Sequence, residues 1–218
     1  MENILSNLHG KTILDLGCGD GWISQAIHEK QRFDVLSVDL SKQALEKCKR
    51  RDWQSNLTLT QSSADFLPFK NDLFDTIICL ETVMYVPHLE LAIDEISRVL
   101  KKGGFLLISV PNYLTHGIVY DLIQSRFMKF LNPNLQETDN IKHNFTFKSL
   151  KFYFNTRKFK FVKHYNSSFL NFYISSICCD VLGFKCASLE KIEKIDVKAA
   201  NKIHPSLSSG WLIIFKKF

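Results

Sequence analysis

Residues 13–21 read Ile-Leu-Asp-Leu-Gly-Cys-Gly-Asp-Gly, an apolar run carrying one acid, Asp15, that breaks into glycines at 17, 19 and 21. A strand ending in such a turn and handing over to a helix, here from Trp22, is how α/β sheets hold nucleotide-like ligands. A pyrophosphate-binding turn needs glycines at 17, 19 and 22, the last so that the helix can pack closely on the strand. Position 22 is Trp22. The pattern D-x-G-x-G-x-G suits instead a ligand with a positively charged sulfonium and an amino acid tail. A second apolar run, 33–39, ends on Asp39, 22 residues beyond Gly17. An acid at the tip of a second strand is placed to accept from both hydroxyls of a ribose. Asp65, in the run 63–69 after a third candidate strand, is placed to accept from an adenine amino group.

Each residue also has a plainer reading. Asp15 either orients the ligand's amino group, directly or through water, or holds its own turn by accepting backbone N–H bonds. Asp39 stands two residues before Ser41, a good N-cap for a helix starting near Lys42. Asp65 is an acid in a loop, where solvation is the ordinary fate. Cys18 supplies a small, weakly polar side chain that a binding turn tolerates, more in keeping with its place than a reactive thiol.

The runs Phe-Asp-Thr-Ile-Ile-Cys at 74–79, Glu-Thr-Val-Met-Tyr-Val-Pro at 81–87 and Ile-Ser-Arg-Val-Leu-Lys-Lys-Gly-Gly-Phe-Leu-Leu-Ile at 96–108 extend the pattern. In this order and spacing the first half of the chain resembles the class I S-adenosylmethionine-dependent methyltransferases, in their small-molecule branch with a type 11-like domain. The resemblance implies a Rossmann-like, doubly wound seven-stranded sheet, mostly parallel with an antiparallel last strand. It implies S-adenosylmethionine as cofactor, contacted by Asp15, Gly17, Cys18, Gly19, Asp39, Leu40, Asp65, Phe66 and Glu81, with no metal. A sulfonium methyl is already activated, so such a protein supplies in-line proximity and removes a proton from an oxygen or nitrogen nucleophile.

Acceptor-side candidates belong at the carboxyl ends of the strands. Glu81, Tyr85 and His88 follow the fourth strand. Many relatives carry a histidine where this chain has Tyr85, so a histidine base is absent at that place. His143, with Thr146 three residues on, resembles an element preceding a helix in the small-molecule branch. Tyr85 and His143 are thus the catalytic candidates, with a structural histidine as the other reading of His143. Glu81 either lines the methyl-transfer pocket or is an ordinary hydrogen-bonded acid.

The 218 residues, 45% hydrophobic and 23% charged, suit a single domain over 1–218. Strands are expected near 11–16, 34–39, 57–61, 73–80 and 104–110, the first four each followed by a helix or helical turn. A helix from about 88 to 101 should stop at Gly103 and Gly104. Residues 113–145 read as a helical lid inserted over the cofactor site, and 168–205 as a variable substrate-side region. A helix should begin near Thr146, an alternating strand follows over 159–164, and 211–215 reads as a last buried strand.

Charge divides the chain: residues 1–112 hold 12 Lys and Arg against 15 Asp and Glu, whereas 113–218 hold 16 against 7 and also 13 of the 18 Phe. Basic residues interleaved with aromatics suit nucleic acid or an anionic membrane surface, or equally a Phe-lined core under a solvated lysine face. The amino terminus lacks the pattern of a secretory signal, so a cytoplasmic location is expected. None of the six cysteines forms a C-x-x-C pair, which leaves no zinc signature. Residues 80–83 read Leu-Glu-Thr-Val where nucleobase amino-methylating enzymes place Asn/Asp-Pro-Pro-aromatic, and no Pro-Cys pair exists for cytosine chemistry. The leading expectation is methyl transfer to an oxygen or nitrogen of a small, glycan or lipid-linked acceptor. Nucleic acid is not the favoured partner, peripheral membrane contact stays open, and so does oligomeric state. The alternatives are an RNA methyltransferase using the basic half and a non-catalytic S-adenosylmethionine-binding protein, with NAD chemistry set back by Trp22.

Overall fold

The computed structural model describes residues 1–51, 58–114, 143–166, 205, 208 and 210–218. Among the described residues, seven strands form one sheet: β1 (Thr12–Leu16), β2 (Asp34–Asp39), β3 (Thr58–Gln61), β4 (Phe74–Leu80), β5 (Leu100–Pro111), β6 (Phe159–Asn166) and β7 (Gly210–Lys217). Their spatial order is β3-β2-β1-β4-β5-β7-β6. The first five pair in parallel, and β7 runs antiparallel between β5 and β6. The helices among the described residues are α1 (Glu2–Leu5), α2 (Trp22–His28), α3 (Lys42–Lys49), α4 (Leu89–Val99) and α5 (Phe147–Asn155), with a 3-10 turn at Val83–Tyr85.

Alternation along the central strands produces two cores. Leu14, Ile77, Leu106, Ile108, Ile213 and Phe215 face α4 and α5, meeting Ile93, Ile96, Leu150 and Phe154. Ile13, Val35, Ile78, Leu107 and Ile214 face the other way, toward Ile4, Leu8 and Ile27. Strands buried on both faces read as near-continuous apolar runs, as 74–80 and 105–110 do. The strand order reverses between β1 and β4, both parallel, and it is beside such a switch that the crevice for a ligand opens.

Two boundaries differ from expectation. Helix α4 stops at Val99 rather than at the glycines, because Leu100 already pairs with Phe74 in the sheet. Residues 101–104 then bulge before Phe105 resumes pairing with Thr76. Gly104 serves that bulge: a Cβ there would lie 2.8 Å from the Lys101 carbonyl oxygen and 2.9 Å from that of Asp75. After β3 the expected helix or helical turn takes the form of a single turn, closed by the Phe66 N–H donating to the Ser63 carbonyl at 3.2 Å. The expected helix near Thr146 is present, with Thr146 and Ser149 forming a reciprocal capping box. Most of 113–145 and nearly all of 168–205 lie outside the described residues.

Candidate functional site

The turn after β1 is held from two sides. The backbone N–H groups of Gly17 and Cys18 both donate to the Val38 carbonyl, at 2.7 and 2.9 Å, tying the turn to β2. Gly17 (φ 76°) meets Thr82 on the other side, whose Oγ1 would stand 2.1 Å from a Cβ at position 17. Thr82 is itself fixed, donating to the carbonyls of Leu80 (2.8 Å) and Leu16 (3.3 Å). Glycine is therefore dictated at 17 by both conformation and space. Gly21, at φ 86°, opens α2.

Asp39 finishes β2 by accepting from the Gly19 N–H and the Ser41 N–H, both at 2.8 Å. It thus braces the glycine turn and the start of α3 together. A carboxylate has about four lone-pair sites, so two such bonds leave it able to accept from a ligand. Asp15 is placed differently. It is 3% exposed, on the face of β1 beneath α2, where the Ser24 hydroxyl donates to it. The Ser24 and Ser37 hydroxyls are in turn 2.7 Å apart. Burial pushes its pKa up to about 6, against the pull of the Ser24 donors. Cys18 is buried, and burial raises its thiol pKa out of the reactive range.

A cavity of about 250 Å³ opens beside this turn. Gly17, Asp39 and Leu40 line one part of it, Ser62, Ser63 and Ala64 another, and Glu81, Tyr85, Val86 and Pro87 the part after β4. Of the residues singled out from the sequence, Gly17, Asp39, Leu40, Glu81 and Tyr85 meet here; Asp15, Cys18, Gly19, Asp65, Phe66 and His143 are not among the lining residues. Asp65 and Phe66 directly follow the lining residues 62–64, and Phe66 is 75% exposed.

Glu81 has an unusual backbone for a non-glycine residue, φ 50°. Ser109 of β5 holds it there: the Glu81 N–H donates to the Ser109 carbonyl at 3.0 Å, and the Ser109 hydroxyl donates to the Glu81 carboxylate at 2.6 Å. Glu81 is exposed as a residue, yet the protein atoms packed around its carboxyl take enough water from it to raise its pKa, and the Ser109 hydrogen bond moderates that rise. Tyr85 ends the 3-10 turn, 44% exposed at the cavity wall. His143 lies behind that turn, its Nε2 2.8 Å from the Val86 carbonyl and its N–H donating to the Met84 carbonyl at 3.1 Å.

Two contributors escaped the sequence reading. Thr82 buttresses Gly17, and the only hint was its place directly after Glu81. Arg51 clamps the glycine turn from outside: its guanidinium pairs with Asp20 at 2.7 Å and lies 4.3 Å over the Trp22 ring. Trp22 is thus on the outer surface, stacked under a cation, and not in the cavity.

Residues 14–108 match the family described as a methyltransferase domain. The whole chain superposes on an S-adenosylmethionine-dependent methyltransferase from Methanosarcina mazei with a TM-score of 0.67, covering 100% of this chain and 98% of that one at 19% identity. Residues 14–108 thus resemble a methyltransferase domain, and the chain has the fold of these methyltransferases. The site suits a nucleoside-like ligand: Gly17 leaves the turn's backbone bare at the cavity, and Asp39 keeps acceptor capacity beside it. Among curated relatives, the phthiotriol/phenolphthiotriol dimycocerosates methyltransferase of Mycobacterium leprae is 33% identical over 104 residues, 46% of this chain and 37% of that protein. The ubiquinone biosynthesis O-methyltransferase of Coxiella burnetii is 30% identical over 128 residues, 58% of this chain and 54% of that protein. The chain thus spans about half or less of the length of these curated relatives.

Proposed function

We propose that the protein transfers a methyl group from S-adenosylmethionine to an oxygen of a small or lipid-linked acceptor. The observation that carries this reading is that Gly17 and Asp39, on the cofactor side, share one cavity with Glu81 and Tyr85. The names of the two relatives, one for dimycocerosates and one for an O-methyltransferase of ubiquinone biosynthesis, support the acceptor class. When bound, the cofactor supplies a methyl group already activated on sulfur.

The chain's own part is then alignment and proton removal. Asp39 accepts from the ribose hydroxyls while bracing the turn. Glu81, exposed at the cavity with its pKa raised by partial desolvation, takes the proton from the acceptor hydroxyl as the new bond forms. Ser109 aims that carboxylate. The Tyr85 phenol orients the acceptor oxygen.

Calorimetric titration with S-adenosylmethionine, S-adenosylhomocysteine and NAD at matched salt tests the cofactor, and transfer of labelled methyl into lipid extracts or total RNA tests the acceptor. We expect micromolar binding of the first two ligands, about −8 kcal/mol, with no NAD binding and label in the lipid fraction. Label in RNA would favour the basic half as an RNA surface, and binding without any transfer would favour the non-catalytic reading.

A further inference from the structure

We infer that His143 is a positioning residue that sets Tyr85 at the cavity wall from outside the cavity; this rests on the reading of Tyr85 as an acceptor-side residue. The Val86 carbonyl can only accept a hydrogen bond, so the His143 Nε2, 2.8 Å away, carries the proton and donates it. That nitrogen is therefore not available as a base, and the residue does not line the cavity. With the His143 N–H donating to the Met84 carbonyl at 3.1 Å, the residue grips the chain on both sides of Tyr85.

The clip is anchored at its far end. Two residues on, Phe145 is 2% exposed, edge-on to Tyr153 of α5, and its carbonyl accepts from the Tyr113 N–H at 2.9 Å. Residues 143–145 thus join the exit of β4 to the exit of β5 just behind the cavity. The same 3-10 turn reaches the cofactor side, since the Tyr85 N–H donates to the Thr82 carbonyl at 3.0 Å and Thr82 abuts Gly17. An acceptor bound against Tyr85 is in this way set relative to the glycine turn by backbone hydrogen bonds that His143 completes.

The test compares His143→Ala with His143→Gln, whose side-chain amide keeps a donor near the place of Nε2 and does not titrate. Tyr85 is followed by fluorine NMR of protein labelled with 3-fluorotyrosine, its signal assigned from Tyr85→Phe. Amide exchange over 82–87 is measured on the same proteins, with S-adenosylhomocysteine affinity as an independent arm. We expect His143→Ala to shift or broaden the Tyr85 signal and speed exchange over 82–87 by tenfold or more, with His143→Gln close to wild type in both. An unmoved Tyr85 signal in His143→Ala, or a His143→Gln as perturbed as His143→Ala, overturns the inference. Failure of wild type to bind S-adenosylhomocysteine would instead count against the cofactor-site reading and leaves the NMR comparison decisive for the clip.

Discussion

Asp15 and Asp39 stand near the ends of adjacent strands, 24 positions apart, and their surroundings give them different work. Asp39 accepts two backbone N–H bonds at the cavity, so its removal leaves the turn and, on the proposed reading, the ligand hydroxyls short of an acceptor. Asp39→Ala should weaken S-adenosylhomocysteine binding by about 1–3 kcal/mol in calorimetry; unchanged affinity would take Asp39 out of the site. Asp15 is buried beneath α2, with its pKa raised to about 6. A carboxyl whose folded pKa lies above its unfolded value, near 3.9, holds its proton more tightly when folded. Its contribution therefore favours the fold at low pH and fades as pH rises through about 6. Relative to Asp15→Asn, the wild type should lose about 2 kcal/mol of stability between pH 4 and pH 8. Urea unfolding of both proteins at the two pH values measures this, and a constant gap would show that the charge of Asp15 carries no such penalty.

The bulge that begins β5 shows how an element can depend on one missing side chain. Asp75, opposite the bulge, accepts from the Lys11 N–H at 2.9 Å, the Thr12 N–H at 3.0 Å, the Thr12 hydroxyl at 2.8 Å and the Lys101 ammonium at 2.7 Å. Burial works to raise its pKa, but these donors hold it well below the usual carboxylate range. The bulge thus pins the starts of β1, β4 and β5 together at the end of the sheet away from the cavity. A methyl at position 104 would press on two backbone oxygens that cannot both yield. Gly104→Ala should cost about 1–3 kcal/mol in urea unfolding. Near wild-type stability there would mean that the bulge relaxes freely.

At the scale of the whole molecule, the described part of the basic, Phe-rich second half buries four of its phenylalanines and leaves Phe152 and Phe218 exposed. Phe145, Phe154, Phe159 and Phe215 are buried, with Phe154 stacked on Phe215 at 4.9 Å between centroids, while Lys148, Lys158, Lys160, Lys163 and Lys216 are exposed. Around α5, β6 and β7 these residues form an apolar core beneath exposed lysines, with Phe152 outside it. Strand β7 joins the halves, pairing with β5 from Phe105 to Pro111 and with β6 from Phe159 to Asn166. Truncation after residue 209 would leave β5 with an unpaired edge and uncover Phe154 and Phe159, which should abolish cooperative urea unfolding and S-adenosylhomocysteine binding alike. A truncated chain that unfolds cooperatively and still binds would show that the parallel half is a self-sufficient domain.

Local chemistry was legible in the residues themselves: periodic apolar runs announced the strands, the glycines at 17, 19 and 21 announced the turn, and Thr146 announced α5, since each depends on neighbours in the chain. Which polar groups meet was not legible, because that depends on partners far away in sequence. Asp39 faces the cavity and Asp15 lies under α2 through the alternation of adjacent strands and the packing of Ser24 over one of them. Glycine at 17 is enforced by Thr82, and Glu81 is aimed by Ser109, 28 positions on. The end of α4 at Val99, four residues short of the glycines that seemed to stop it, was likewise settled by the pairing of Leu100 with Phe74. A backbone hydrogen bond to a neighbouring strand outweighs a local stop signal, and only the assembled sheet supplies that strand.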